Sequence, residues 1–465
     1  ENSDHTYAKV STFEREVLSQ SDTMTFALGL RSNPTANLFL DYVELYGWRR
    51  LIRVGEMFPF RLLPSQLGLA SSVVWIQNTN ANYVLWDVTD PMSPVRQEGV
   101  LSGGNMVFAI QEAVEKRYVL FNPAEAWEVA HWQPVANQNV HAVADADMLI
   151  VAAPLLMEQA QALADYHAQK DGLRSVVVNV NEIYNEFATG IPDPTGVRDF
   201  VRMVYRRSAG NLKYLTLFGR ASFDYRNILE TNRNLVPCYE TMSSPEYELS
   251  FCTDDYFGLM GDDEGSNSDG KVDLGIGRIS VSTVGEAETV LRKIKHYDDL
   301  AACHGDWKTD LLLFADDEQE SYIDNNEIYY KMSDTLCPPL TAKKVYCGAY
   351  TVESTSSGVV IPGANADLMR ALAQGVSVML YTGHGGVRGL TGDNVFTTSD
   401  IGALQNYDKM PFVFTATCEF AKYDNPLYVS AGEQMVLNPQ GGTVALLTAC
   451  RPTIGYNNVK IGKAL

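Results

Sequence analysis

From Met148 onward, short unbroken apolar runs alternate with stretches of helical periodicity, and this alternation restricts the fold more than any other feature. MLIVAAP (148–154) is apolar up to its proline; Leu156, Ala160, Leu163, Ala164 and His167 then recur at helical spacing until Gly172, and SVVVNV (175–180) follows. Val197, Phe200, Val201 and Val204 mark another helix face before YLTLFG (214–219), and EAETVLRKIKHY (286–297) reads as a closing helix. A strand without polar alternation has no solvent face, so these runs predict a parallel sheet covered by helices on both sides. The rhythm restarts with DLLLFADDE (310–318), the helix DLMRALAQG (367–375) and the strands VSVMLYTG (376–383), PFVFTAT (411–417) and GTVALLT (442–448). Two successive α/β subdomains are expected, 146–305 and 306–465.

Residues 1–145 have a different texture and predict a β-rich domain. TFALGL (25–30), ANLFLDYVEL (36–45), SVVWIQ (72–77) and YVLWDV (83–88) are short β-prone runs, punctuated by turn clusters such as SNPTAN and TDPMSP. At the other end, KIGKAL follows soon after a strand with no evident closing helix, which predicts that part of the natural protein lies beyond it.

Charge and cysteine usage exclude several function classes. Asp+Glu number 57 against 36 Lys+Arg, a net charge of −21, so a broad basic face for nucleic acid or anionic lipid is not expected. No uncharged apolar run reaches the roughly 18 residues of a membrane helix. The seven cysteines are too sparse for a disulfide scaffold, although Cys238/Cys252 and Cys337/Cys347 are close enough in sequence to pair. No Cys-x-x-Cys or His-x-x-x-His spacing occurs, so a zinc site is not expected. The acidic loop GDDEGSNSDGKVD (261–273) fails the EF-hand spacing; it is either a solvated loop or a structural Ca²⁺ site through Asp262, Asp269 and Asp273.

Chemistry concentrates at two strand ends. VMLYTGHGG (378–386) delivers His384 among glycines, and PFVFTATCEF (411–420) delivers Cys418. Ligands of open parallel sheets bind beyond the carboxyl ends of the strands, so neighbouring strands would bring thiol and imidazole to one crevice. The residues between them suit a crossover, with Ser399 or Asp400 capping a short helix. An imidazole promotes thiolate formation or protonates a leaving amine, and the N–H groups of Gly385 and Cys418 are candidate oxyanion donors. Asp316, Asp317 and Glu318, past the first strand of the same subdomain, could orient the ring or form a solvated turn. Cys450 follows a strand without a histidine companion and reads as a packed thiol.

YTGHG (381–385), TTSDIGALQN (397–406) and PFVFTATC (411–418) together resemble the caspase-like cysteine peptidases, and in detail the gingipain-type C25 family. YLTLFG, TDDYFG (253–258) and GIGRISV (275–281) extend the resemblance over 147–465. CEFAKYDNP (418–426), GEQMVLNPQGGTVALLTACRP (432–452) and the β-rich front are similar to the branch that acts as signal peptidase, or sortase, of type IX secretion. The resemblance implies Cys418 as nucleophile, His384 as its partner, and Glu318 as the acid, with Asp317 next in register. It also implies an exported enzyme, its signal peptide removed, on the outer face of the bacterial outer membrane and held by a β-barrel partner of that secretion system. Such an enzyme cleaves the C-terminal signal domain from secreted cargo through a thioester and transfers the cargo to anionic lipopolysaccharide, with no required cofactor. Two alternatives stay open: a broad gingipain-like endopeptidase, and a catalytically silent surface scaffold with a peptidase fold.

Overall fold

The computed structural model describes residues 9–18, 24–29, 37–67, 71–111, 114–246, 248–265, 268–336, 340–356 and 358–465. They fall into two compact units, one of residues 14–136 and one of residues 137–465 together with 9–13. Cys337 lies outside the described residues.

The first unit is built on two antiparallel sheets. One orders Met57–Leu62, Lys116–Phe121, Val84–Asp87 and Val95–Gln97; the other orders Ser72–Ile76, Asn105–Ile110 and Val100–Ser102. Alternate side chains, among them Phe58, Val74, Ile76, Leu85, Phe108, Tyr118 and Leu120, fill a single core. Two of the expected strands do not form. Residues 25–29 and 37–45 have no regular structure, and Phe26, Leu38 and Phe39 are exposed. β propensity measures fit to a pleated surface, and among the described residues these runs have no partner strand to supply one. Residues 30 and 36 lie outside the described set.

In the second unit, four parallel strands stand in the order Gly275–Ile279, Tyr214–Phe218, Met148–Ala152, Ser175–Asn179. Every residue of Met148–Ala152 is buried, as its unbroken apolarity requires. The predicted helices are present as Met157–Asp171, Pro194–Arg207 and Val284–Tyr297; a further one, Val180–Phe187, is capped by the Asn179 side chain. A second parallel sheet orders Thr341–Tyr346, Asp310–Ala315, Val378–Thr382, Phe412–Ala416 and Ala445–Leu447.

Three elements of this sheet layer have no clear sequence signature. Thr341–Tyr346 carries two lysines because it is an edge strand. Helix Glu320–Leu336 buries just Asn326 and Tyr329, so its apolar stripe is faint. Helix Gly455–Ala464 does follow the last strand, where no closing helix was expected, and buries no residue at all. The crossover helix Thr398–Ala403 is capped by Thr397 rather than by Ser399 or Asp400. Asp400 sits three residues in and accepts from the Thr397 N–H at 2.8 Å.

Buried charge joins the two sheets. Arg220, beyond Tyr214–Phe218, donates to the carbonyls of Tyr423 (3.3 Å) and Asn425 (3.1 Å) and stands 3.2 Å from Glu433 on helix Ala431–Leu437. Lys293 donates to the Val436 carbonyl at 2.6 Å. The loops beyond the strand tips are therefore anchored from below.

Candidate active site

Strands Val378–Thr382 and Phe412–Ala416 are adjacent and parallel, with Thr382 registered on Ala416. His384 and Cys418 each stand two residues past that pair. Neighbouring strands run about 4.8 Å apart, so register alone brings both groups to one edge of the sheet. The chain beyond the histidine lies against the Thr417 side chain: a Cβ on Gly385 would lie 2.5 Å from Thr417 Oγ1. Glycine at 385 is thus what lets the histidine loop pack on the residue before the cysteine.

The histidine loop is built around a buried carboxylate. Asp316 accepts N–H bonds from Asp317 (3.1 Å), His384 (3.1 Å) and Gly392 (3.2 Å), and is fully buried. Gly383, at φ +155°, passes so close that a Cβ there would meet Asp316 Cβ at 2.4 Å. The Tyr381 hydroxyl and the Thr391 N–H both donate to the His384 carbonyl, the latter at 2.8 Å. Of the three acids after Asp310–Ala315, Asp316 therefore braces the backbone and does not meet the imidazole.

That role gives a testable stability change. Asp316→Asn turns an acceptor into an amide that faces N–H donors, at a cost of about 1–2 kcal/mol. Burial pushes the Asp316 pKa up, against the pull of its three N–H donors. A raised acid favours the folded state fully below its unfolded pKa near 4, and this contribution is lost as pH rises through the folded value. The deficit of Asp316→Asn relative to wild type is therefore largest near pH 4 and shrinks on going to higher pH. Urea unfolding of both proteins across that range tests the sign; a deficit that grows with pH refutes it.

The ring itself is held by two side chains. Glu318 Oε2 lies 2.9 Å and the Tyr322 hydroxyl 3.2 Å from His384 Nε2, with the Tyr322 ring edge-on at 5.9 Å and 88°. Among the described residues Nδ1 has no partner and Asp317 does not contact the ring. Tyr322 has no counterpart in the sequence reading; its one signal is the four-residue spacing from Glu318 at a helix start. It is positioned by Asn326, one turn on, which donates to the Phe314 carbonyl at 2.8 Å and accepts from the Thr382 hydroxyl at 2.9 Å. The helix is thereby clipped to both central strands.

Cys418 is partly exposed. The Thr453 N–H donates to its sulfur at 3.4 Å, and Thr453 Oγ1 donates to the Thr417 carbonyl at 3.2 Å. Glu419, at φ +47°, turns the chain away immediately afterwards. The Cys418 N–H has no partner among the described residues. Gly385 pairs opposite Leu390 next to the bonded 384/391 position, and the alternation of an antiparallel ladder turns its N–H out of that ladder. Both candidate oxyanion donors are thus unspent.

The calcium candidates are dispersed. Asp262 is paired with Arg202 and Arg206, Asp273 accepts from the Met260 N–H at 3.4 Å, and Asp269 contributes its carbonyl to Gly265. Among the described residues these three carboxylates form no ligating cluster.

A thiol and an imidazole at register-matched tips of adjacent parallel strands, with a carboxylate on the ring, define a cysteine peptidase of the caspase-like α/β class. The chain belongs to peptidase family C25, whose family model matches residues 141–465. Gingipain R2 of Porphyromonas gingivalis is 21% identical over 292 residues, covering 63% of this chain and 34% of that protein. The chain thus spans about a third of the length of this curated relative. The crystal structure of the Arg-specific cysteine proteinase gingipain R (RgpB) covers 71% of this chain and 67% of its own, at 18% identity and a TM-score of 0.54. That of dimeric latent PorU from Porphyromonas gingivalis covers 54% of this chain and 25% of its own, at 22% identity and a TM-score of 0.46.

Proposed function

We propose that this chain carries the catalytic part of a surface signal peptidase and sortase that processes type IX secretion cargo. The observation that carries the peptidase chemistry is the shared register of His384 and Cys418. The sortase reading draws on the likeness of residues 418–426 and 432–452 to that branch of the family. No helix among the described residues is long and apolar enough to cross a membrane, which is compatible with retention by an outer-membrane β-barrel partner.

The thiol proton of Cys418 passes to His384, and the sulfur attacks the carbonyl before the scissile bond while the Gly385 and Cys418 N–H groups receive the oxyanion. As the C–N bond breaks, the imidazolium gives its proton to the departing amine, leaving the cargo as a thioester. Water converts the thioester to a carboxylate, or an amine of anionic lipopolysaccharide converts it to an amide; either route returns the free thiol. Glu318 and Tyr322 hold Nε2, so Nδ1 is the nitrogen available to the reaction.

Two measurements test the reading. Mass spectrometry of a cargo protein incubated with the enzyme and an amine acceptor is expected to find the signal domain released and the acceptor joined to the new carboxyl end. Short peptides varied at the cleaved bond separate the second reading, a broad endopeptidase, which the match to gingipain R2 favours. Cleavage of many unrelated peptides without acceptor transfer removes the sortase assignment. Glu318→Gln is expected to lower kcat/KM about tenfold with little change in melting temperature, because a half-exposed pair orients the ring more than it stabilises the fold. An unchanged kcat/KM would show that Tyr322 suffices.

A further inference from the structure

Behind the cysteine loop lies a group of side chains that the peptidase chemistry does not use. Tyr239–Glu240 pairs antiparallel with Cys252–Thr253, and Glu240 stands directly opposite Cys252. Cys238, two residues before Glu240, falls on the same face by the two-residue period of a strand. The ligand atoms of Cys238, Glu240 and Cys252 all lie within 4.8 Å of one another. Cys238 and Cys252 are almost fully buried, and Cys238 Sγ donates to Glu240 at 3.3 Å. From the loop after strand Ala445–Leu447, Cys450 reaches in and donates to the Cys252 carbonyl at 3.0 Å, while Arg451 Nη1 stands 3.7 Å from Cys252 Sγ.

We infer that Cys238, Glu240 and Cys252, with Cys450 as the adjoining fourth donor, form a structural site for a thiophilic divalent cation of the zinc class. Buried thiols ordinarily pack against apolar atoms; here they converge on a carboxylate, a set of soft and borderline donors suited to zinc. Tetrahedral zinc, at about 2.3 Å from sulfur and 2.0–2.2 Å from oxygen, spaces its ligand atoms by roughly 3.5–3.8 Å. A small inward shift of the three side chains supplies that spacing. Local spacing does not give the site, because an antiparallel strand pair and the loop after a strand of another sheet assemble it. Arg451 also stands 3.8 Å from Glu240 and is itself paired to Asp424 at 2.8 Å. With Cys450 turned from the Cys252 carbonyl onto the ion as fourth donor, the site is closed and its role is structural. The segment it would fix runs through Arg451, whose carbonyl accepts from the Glu419 N–H at 3.3 Å, to Thr453 on the Cys418 sulfur.

The test uses the full chain, reduced, stripped by a chelator, desalted and titrated with Co²⁺ and then Zn²⁺. One cobalt per chain is expected, with a thiolate-to-cobalt charge-transfer band and tetrahedral visible bands that Zn²⁺ displaces. Bound zinc is expected to protect Cys238 and Cys252 from alkylation in peptide maps. Cys252→Ser and Glu240→Gln should each weaken cobalt binding by at least about 100-fold, whereas Cys303→Ser, a buried thiol elsewhere, should not. Absence of the charge-transfer band in wild type overturns the inference, whether or not the variants fold. So does a Cys238–Cys252 disulfide in protein isolated without reductant, or cobalt binding by the variants at wild-type affinity.

Discussion

Cys418→Ala lowers kcat for peptide-bond cleavage by about 10⁴ to 10⁶-fold, the range seen when a covalent nucleophile is removed and only binding and oxyanion contacts stay. Little stability goes with it. The sulfur is partly exposed and its polar contacts are long ones to Thr453, so the melting temperature is expected to move by no more than a degree or two. His384→Ala should match it in rate, and the double substitution should cost no more than either alone, because the two residues act on one acyl-enzyme. Single-turnover assays with a cargo substrate, alongside thermal melts, read both quantities. Cleavage that persists in Cys418→Ala ends the Cys418 thioester mechanism, whereas wild-type protein that cleaves no substrate supports the silent-scaffold reading.

Arg220→Ala is expected to destabilise the α/β unit by about 3–5 kcal/mol, the cost of leaving a buried charge without its partner. The guanidinium and the Glu433 carboxylate are both almost wholly buried, at 2% and 3% side-chain exposure. Burial drives the Arg220 pKa down and the Glu433 pKa up, so desolvation outweighs the mutual attraction for each partner. It follows that the pair contributes little net stability while each half depends on the other. Arg220→Met combined with Glu433→Gln should recover a large part of the loss. Glu433→Gln keeps an oxygen that can accept from the Ser430 N–H, now at 2.9 Å, and an amide NH2 that can donate to the Ser280 hydroxyl, also 2.9 Å away. Urea unfolding of the two single variants and the double variant measures the coupling; additive losses would show that the two charges do not depend on each other. Since Arg220 also holds the carbonyls of Tyr423 and Asn425, Arg220→Ala should depress activity as the loop after Cys418 loosens.

Much of the second unit was legible from residue order. Unbroken apolar runs such as MLIVAAP report burial on both faces, and that is a property of the run itself. A titratable ring or a thiol just past such a run must stand at a sheet edge, which singled out His384 and Cys418. The acid was less legible. Asp316, Asp317 and Glu318 are consecutive, and one step along the chain decides whether a carboxylate turns into the loop, as Asp316 does, or out to the ring, as Glu318 does.

Local pattern failed wherever the outcome depended on a distant partner. The runs at 25–29 and 37–45 have β composition and, among the described residues, no strand to pair with, whereas the lysine-bearing Thr341–Tyr346 pairs because Asp310–Ala315 offers an edge. Tyr322 meets His384 because Asn326 clips its helix to two strands. Periodicity, charge and the reactive side chains are written residue by residue, so the order of amino acids settles them. Which strand lies beside which, and so which thiol shares a sheet edge with an imidazole and which lies beside other thiols, depends on contacts across up to about two hundred positions. Only the folded chain, through the register of Thr382 on Ala416 and the meeting of Cys252 with Cys450, decides those.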